Sequence, residues 1–151
     1  MARWGQIGLI LAGLLLASFA TNAQRQDQTR ILFVFDASYS MYGNLQQQSK
    51  IAVAKNLLSS LVDTLAEQRN VKLGMRIYGH QTPRRKYDCE DSKLEVGFYP
   101  DNEQDIINTI QNTEPKGTTP IAYSLKEAGG DFPASPKARN VIILLTDGIE
   151  E

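Results

Sequence analysis

The chain has one cysteine, one histidine and no surplus of positive charge, and each shortage excludes a class of function. Lysine and arginine number 16 against 17 acidic residues, a formal net charge of −1. The largest basic cluster, Arg84, Arg85 and Lys86, is too small for the stripe that follows nucleic acid or an anionic membrane, and reads as a solvated loop. His80 has no Cys, Asp or second His at metal-ligand spacing, so a zinc site has no basis and His80 reads as a hydrogen-bonded residue at a strand end. With that single histidine in a separate loop and no Gly-x-Ser-x-Gly elbow, a serine hydrolase is disfavoured as well. No apolar run is long enough to span a bilayer: Ile7–Ala17 falls short of the ~20 residues required. With Arg3 before it and the small residues of Thr21-Asn22-Ala23 after it, this run reads as a cleaved signal peptide over residues 1–23. The expectation is an exported protein in the periplasm, on the cell surface or secreted. No cysteine lies near the cleavage region, so no lipid anchor is expected there. Cys89 lies in Tyr-Asp-Cys-Glu-Asp, where an exported protein normally pairs a thiol, and no partner for it occurs in the chain.

What is present suits one domain: 151 residues, 42% hydrophobic and 22% charged, with no internal repeat. Residues 24–30 read as a polar linker and 31–151 as the domain. Ile31–Phe35 is an apolar run ended by Asp36, the pattern of a strand buried on both faces. From Gln48 to Glu67, Ile51, Ala54, Leu57, Leu58, Leu61, Val62 and Leu65 recur at helical spacing. Val71–Tyr78 and Leu94–Phe98 read as strands. Asp101 with Gln104 forms a candidate capping box for a helix that turns Ile106, Ile107 and Ile110 inward. Another helix is expected within Gly117–Gly129, with Thr119 as N-cap, Pro120 as first helical residue and Gly129 just past its end. Asn140–Thr146 is the last strand. Alternating strands and helices predict an α/β fold of three layers: a doubly wound, mostly parallel sheet with helices on both faces. The sequence ends soon after its most hydrophobic strand, so the fold is expected to be incomplete at the C-terminus and the domain to continue past Glu151.

The chemistry collects at strand ends. In Phe-Val-Phe-Asp-Ala-Ser-Tyr-Ser-Met (33–41) the apolar strand stops at a carboxylate followed by two hydroxyls. Asp147 ends the last strand in the same way, and parallel sheets bind ligands at that carboxyl edge. A spacing of two lets an extended loop aim Ser38 and Ser40 to the side where Asp36 points. Thr118 or Thr119 adds a third hydroxyl. Two carboxylates and three hydroxyls are hard oxygen donors suited to Mg²⁺, with Mn²⁺ or Ca²⁺ as alternatives. Two carboxylates only balance a divalent ion, so such an ion stays electrophilic toward an anionic oxygen from outside.

The segments Asp-Ala-Ser-Tyr-Ser, Gly-Thr-Thr-Pro-Ile-Ala-Tyr-Ser-Leu and Leu-Leu-Thr-Asp-Gly together resemble the von Willebrand factor type A domain and its metal-ion-dependent adhesion site. The resemblance implies metal ligation by Asp36, Ser38, Ser40, Thr119 and Asp147. It also implies that the first and last strands are neighbours at the switch point of an open, mostly parallel sheet, and it spans Ile31–Glu151. In some bacterial members a further cysteine follows the acidic end, which would make it the disulfide partner of Cys89 beyond residue 151.

Each piece has a plainer reading. Thr119 caps a helix, the serines and Asp147-Gly148 are turn residues, and Asp88, Glu90 and Asp91 form a solvated loop in preference to a calcium site. Glu150 and Glu151 would rim the site, and Tyr39 and Tyr42 either pack or line a contact surface. The function expected is a non-enzymatic binding or adhesion module that captures a partner protein through an Asp or Glu completing the metal shell. The alternatives are a structural scaffold domain in a larger envelope or secreted assembly and, less favoured, a phosphatase-like enzyme with Asp36 as nucleophile. The second acid that such an enzyme needs two residues later is here Ser38.

Overall fold

Strand β1 (Thr29–Asp36) takes the middle of the fold because Leu32, Phe33, Val34 and Phe35 leave it no face for water. The computed structural model describes residues 28–148, so the expected signal peptide, most of the expected linker, Glu150 and Glu151 lie outside the described residues. Two short strands, β2 (Asn44–Leu45) and β3 (Gln48–Ser49), make a small antiparallel hairpin before helix α1 (Lys50–Ala66). Strand β4 (Val71–Tyr78), strand β5 (Ser92–Val96), helix α2 (Glu103–Asn112), helix α3 (Ile121–Gly130) and strand β6 (Arg139–Leu145) follow. The sheet order is β5-β4-β1-β6. β1 runs parallel to both β4 and β6, and β5 is antiparallel at the edge.

Alternation along β1 feeds two cores, as period-two strand geometry requires. Ile31, Phe33 and Phe35 face Ile51, Ala54, Leu58 and Val62 of α1 and Ile106 and Ile110 of α2. Leu32 and Val34 face Ala128 and Ile121 of α3, with Phe98 stacked on Phe132 alongside. Helices therefore cover both faces, the three-layer α/β arrangement expected from the sequence. Burying each large aliphatic side chain of α1 stabilises the fold by about 1.5–3 kcal/mol relative to exposure.

Several local expectations are corrected. β1 begins at Thr29, two residues early, because Thr29 N bonds Asn70 O and pairs with Val71. Leu57 is exposed, since the helix face set by Ile51, Ala54, Leu58 and Val62 turns it outward. The Asp101–Gln104 capping box does not form. Asp101 turns the chain at φ 55, a conformation Asp tolerates better than most residues, and Asn102 becomes the N-cap. Its side-chain amide is committed instead to the carbonyls of Leu73 (2.9 Å) and Gly97 (2.7 Å). Pro120, not Thr119, is the N-cap of α3, and Gly129 lies inside the helix. The helix gives way at Asp131, whose carboxylate is held by Arg76. β6, the most hydrophobic strand, is half-exposed because it is an edge strand among the described residues.

Candidate functional site

Register places the two acidic strand ends together. Phe35 is level with Leu145 and Asp36 with Tyr78, so Asp36 and Thr146 leave neighbouring strands side by side, and Thr146 Oγ1 donates to Asp36 Oδ2 at 2.7 Å. Ser38 N donates to Asp36 Oδ1 at 2.8 Å. From there a continuous hydroxyl chain crosses to the second carboxylate: Ser38 Oγ and Ser40 Oγ share a hydrogen bond at 2.9 Å, and Ser40 Oγ donates to Asp147 Oδ1 at 3.0 Å. The serines converge, but not through an extended loop. Ser38 is extended, at φ −68 and ψ 161, while Ser40 belongs to a 3-10 turn over Tyr39–Tyr42, anchored by buried Met41. The turn leaves Tyr39 and Tyr42 half-exposed, packed edge to face with ring centres 5.7 Å apart.

The third loop, residues 116–119, is docked largely by backbone bonds. Tyr39 N bonds Gly117 O, and the N–H groups of Lys116 and Gly117 both reach Gly79 O. Gly79, at φ 70, has no room for a side chain: a Cβ there would stand 2.6 Å from Thr118 O and 2.8 Å from Ser38 N. Glycine is the residue that combines positive φ with this close approach. Thr118 Oγ1 turns away to donate to Asp88 O at 2.6 Å, so of the two adjacent threonines it is Thr119 that lies on the site side. A Cβ on Gly148 would meet Thr119 Cγ2 at 3.6 Å and Ser40 Oγ at 4.0 Å.

Electrostatically the site is out of balance. Asp36 is wholly buried, and among the described residues no cation pairs with it. An ionised buried group without a counter-charge is costly. Tyr78 is buried beside it, and among the described residues its hydroxyl is outside hydrogen-bond geometry to any neighbour. Burial first, then the Asp36 carboxylate, hold that phenol far above its ordinary range. Asp147 does have a cation: Lys50 Nζ lies 2.5 Å from its Oδ2.

Octahedral bonds of about 2.0–2.1 Å put neighbouring ligand oxygens about 2.9 Å apart. The Ser38–Ser40 and Ser40–Asp147 oxygen separations, 2.9 and 3.0 Å, fit two edges of such an octahedron. Among the described residues no three His, Cys, Asp or Glu side chains come together.

Residues 31–150 match the von Willebrand factor type A domain family. The chain belongs to that family. Among curated proteins it is 30% identical to Uncharacterized protein YwmD of Bacillus subtilis (strain 168), over 97% of this chain and 66% of the relative. Among solved structures it resembles the PilB minor pilin from Streptococcus sanguinis, with a TM-score of 0.62 and 23% identity over 85% of this chain and 32% of that one. It also resembles the vWF domain of the type V pili tip protein Mfa5 from Porphyromonas gingivalis, with a TM-score of 0.58 and 20% identity over 82% and 38%. The chain thus spans just under two-thirds of the length of the curated relative, and the likeness to the two pilus proteins is one of fold.

Outside the strand-end cluster, the von Willebrand type A fold gives the remaining flagged residues structural work. His80 Nε2 bonds Glu95 Oε1 at 2.8 Å. Although burial opposes it, Lys93 and His80 hold the Glu95 carboxyl below its ordinary range. Asp91, expected to be solvated, is buried because it accepts bonds from Gln81 N and Thr82 N and knits the loop after β4. Cys89 is exposed, its thiol near Tyr87 O. Four residues at the site escaped sequence reading: Thr146, Tyr78, Gly79 and Lys50. Of these only Lys50 left a signal, a cation in the first turn of a helix, where the dipole favours an anion.

Proposed function

We propose that this von Willebrand type A domain is an exported, non-enzymatic binding module. It would hold Mg²⁺, with Mn²⁺ or Ca²⁺ as substitutes, through Asp36, Ser38, Ser40, Thr119 and Asp147, and capture a partner protein through an Asp or Glu that completes the metal shell. The observation that carries this reading is the pair of oxygen separations, Ser38 to Ser40 and Ser40 to Asp147, at octahedral-edge spacing beside Asp36, which is buried and has no cation partner among the described residues. Hydroxyls donate weakly and two carboxylates only neutralise a dication, which leaves it attractive to a further carboxylate. Tyr39 and Tyr42 stand exposed between and beside the serines, where aromatic side chains supply contact area for a partner. The fold shared with a minor pilin and a pilus tip protein supports a surface role in binding or as a scaffold. Nucleophilic catalysis by Asp36 is disfavoured: both its oxygens are hydrogen-bonded, and Ser38 stands where a second acid would be required.

Isothermal titration of Mg²⁺ and Mn²⁺ tests the metal reading, with Asp36→Ala as control. Saturable binding that disappears in the variant is expected. Absence of binding in a folded wild-type protein would overturn the adhesion-site mechanism and favour a metal-independent scaffold.

A further inference from the structure

Lys50 is the residue the strand-end motif does not explain. It is the first residue of α1, after the N-cap Ser49, whose side chain accepts from Ala52 N. A cation there opposes the helix dipole. Its backbone is tied to the serine loop, Lys50 N donating to Gly43 O at 2.8 Å. Its stem passes close over the same glycine: a Cβ on Gly43 would lie 3.5 Å from Lys50 Cε. The ammonium ends 2.5 Å from Asp147 Oδ2, on the opposite oxygen to the one bonded by Ser40. The Lys50 side chain is one-third exposed (33%) and that of Asp147 less so (13%), so the pair lies at the edge of water with the ammonium on the outer side.

Granting that the cluster is a divalent-cation site, on which this inference rests, we infer that Lys50 is a built-in competing cation that sets the affinity of the site. Asp36 and Asp147 carry two negative charges. With Lys50 in place a dication meets a net charge of −1, and without it −2. Lys50 therefore keeps Asp147 paired when no metal is present and weakens metal binding by repulsion. Once the site is loaded, the same ammonium leaves one positive charge in excess, which attracts the carboxylate of a partner. Metal capture and anion capture are thus coupled through one side chain, in opposite directions.

The test is the dissociation constant of Mn²⁺ and Mg²⁺, measured by titration calorimetry on wild type, Lys50→Met and Lys50→Arg, with circular dichroism showing that each variant is folded. Lys50→Met keeps the apolar stem and removes the charge. A close unit charge at the edge of water interacts by an amount worth about a tenfold change in affinity. Lys50→Met is therefore expected to bind both ions about tenfold more tightly, and Lys50→Arg, which restores the charge, to return toward wild type. Wild type that binds metal, with Lys50→Met no tighter, overturns the role of Lys50 and leaves the metal reading intact. Binding by Lys50→Met where wild type shows none supports the role of Lys50 and overturns metal capture by the wild-type domain. Folded proteins that all fail to bind overturn the metal reading and this inference with it.

Discussion

Thr146 shows how much one side chain at a strand end can carry. Its hydroxyl donates to Asp36 Oδ2 and accepts from Gly148 N at 3.2 Å, so it orients the buried carboxylate and shapes the turn that presents Asp147. Hydrogen bonds to charged groups contribute about 1.5–3 kcal/mol, and a buried acceptor left unmet costs a similar amount. Thr146→Val, which keeps the shape and removes the hydroxyl, is expected to lower unfolding stability by about 1.5–3 kcal/mol in chemical denaturation and to weaken Mg²⁺ binding in the same titration used for Asp36→Ala. Unchanged stability would mean that Asp36 finds another donor. Asp36, Ser38 and Ser40 were readable in the sequence because their spacing is local, and Asp147 because it directly ends an apolar run. Thr146 was not, because a threonine at the end of an apolar run is ordinary until register sets it beside an acid 110 positions away.

At the scale of elements, the buried pair of Arg76 and Asp131 joins the middle of β4 to the end of α3. Arg76 Nε and Nη2 donate to the two carboxylate oxygens at 2.6 and 2.8 Å, while Nη1 reaches Ser92 Oγ on β5 at 3.0 Å. Three elements meet on one guanidinium. Removing one partner of such a pair strands the other charge, which costs about 3–5 kcal/mol, whereas replacing both by apolar groups is often neutral. Asp131→Ala is expected to lower stability by about 3–5 kcal/mol and Arg76→Met with Asp131→Leu to recover most of it, read from denaturant midpoints. Helix periodicity and strand alternation made most elements legible. Their caps were less so: Asn102 and Pro120 took positions that local pattern assigned to Asp101 and Thr119, because sheet carbonyls and the tight approach at Gly79 outweighed local capping preference.

For the whole molecule, a ligand that binds only the folded state raises stability in proportion to the logarithm of its concentration, about 2.7 kcal/mol at a hundredfold excess over Kd. Only the folded chain brings β1, the 116–119 loop and the end of β6 together, so the unfolding temperature is expected to climb with Mg²⁺, to fall back with EDTA, and to be indifferent to Mg²⁺ in Asp147→Asn. A thermal melt series at fixed ionic strength reads this directly, and a wild-type midpoint insensitive to Mg²⁺ would count against a site formed by folding. The sequence by itself determined the α/β class, the course of the strands and the acids and hydroxyls at their ends, because hydrophobic period and residue chemistry are local properties. Tertiary structure alone decided that Asp36 is buried without a counter-ion among the described residues, and that the ammonium of Lys50 rests on Asp147. Those facts depend on parallel register and loop docking between segments up to about a hundred residues apart, which no local pattern encodes.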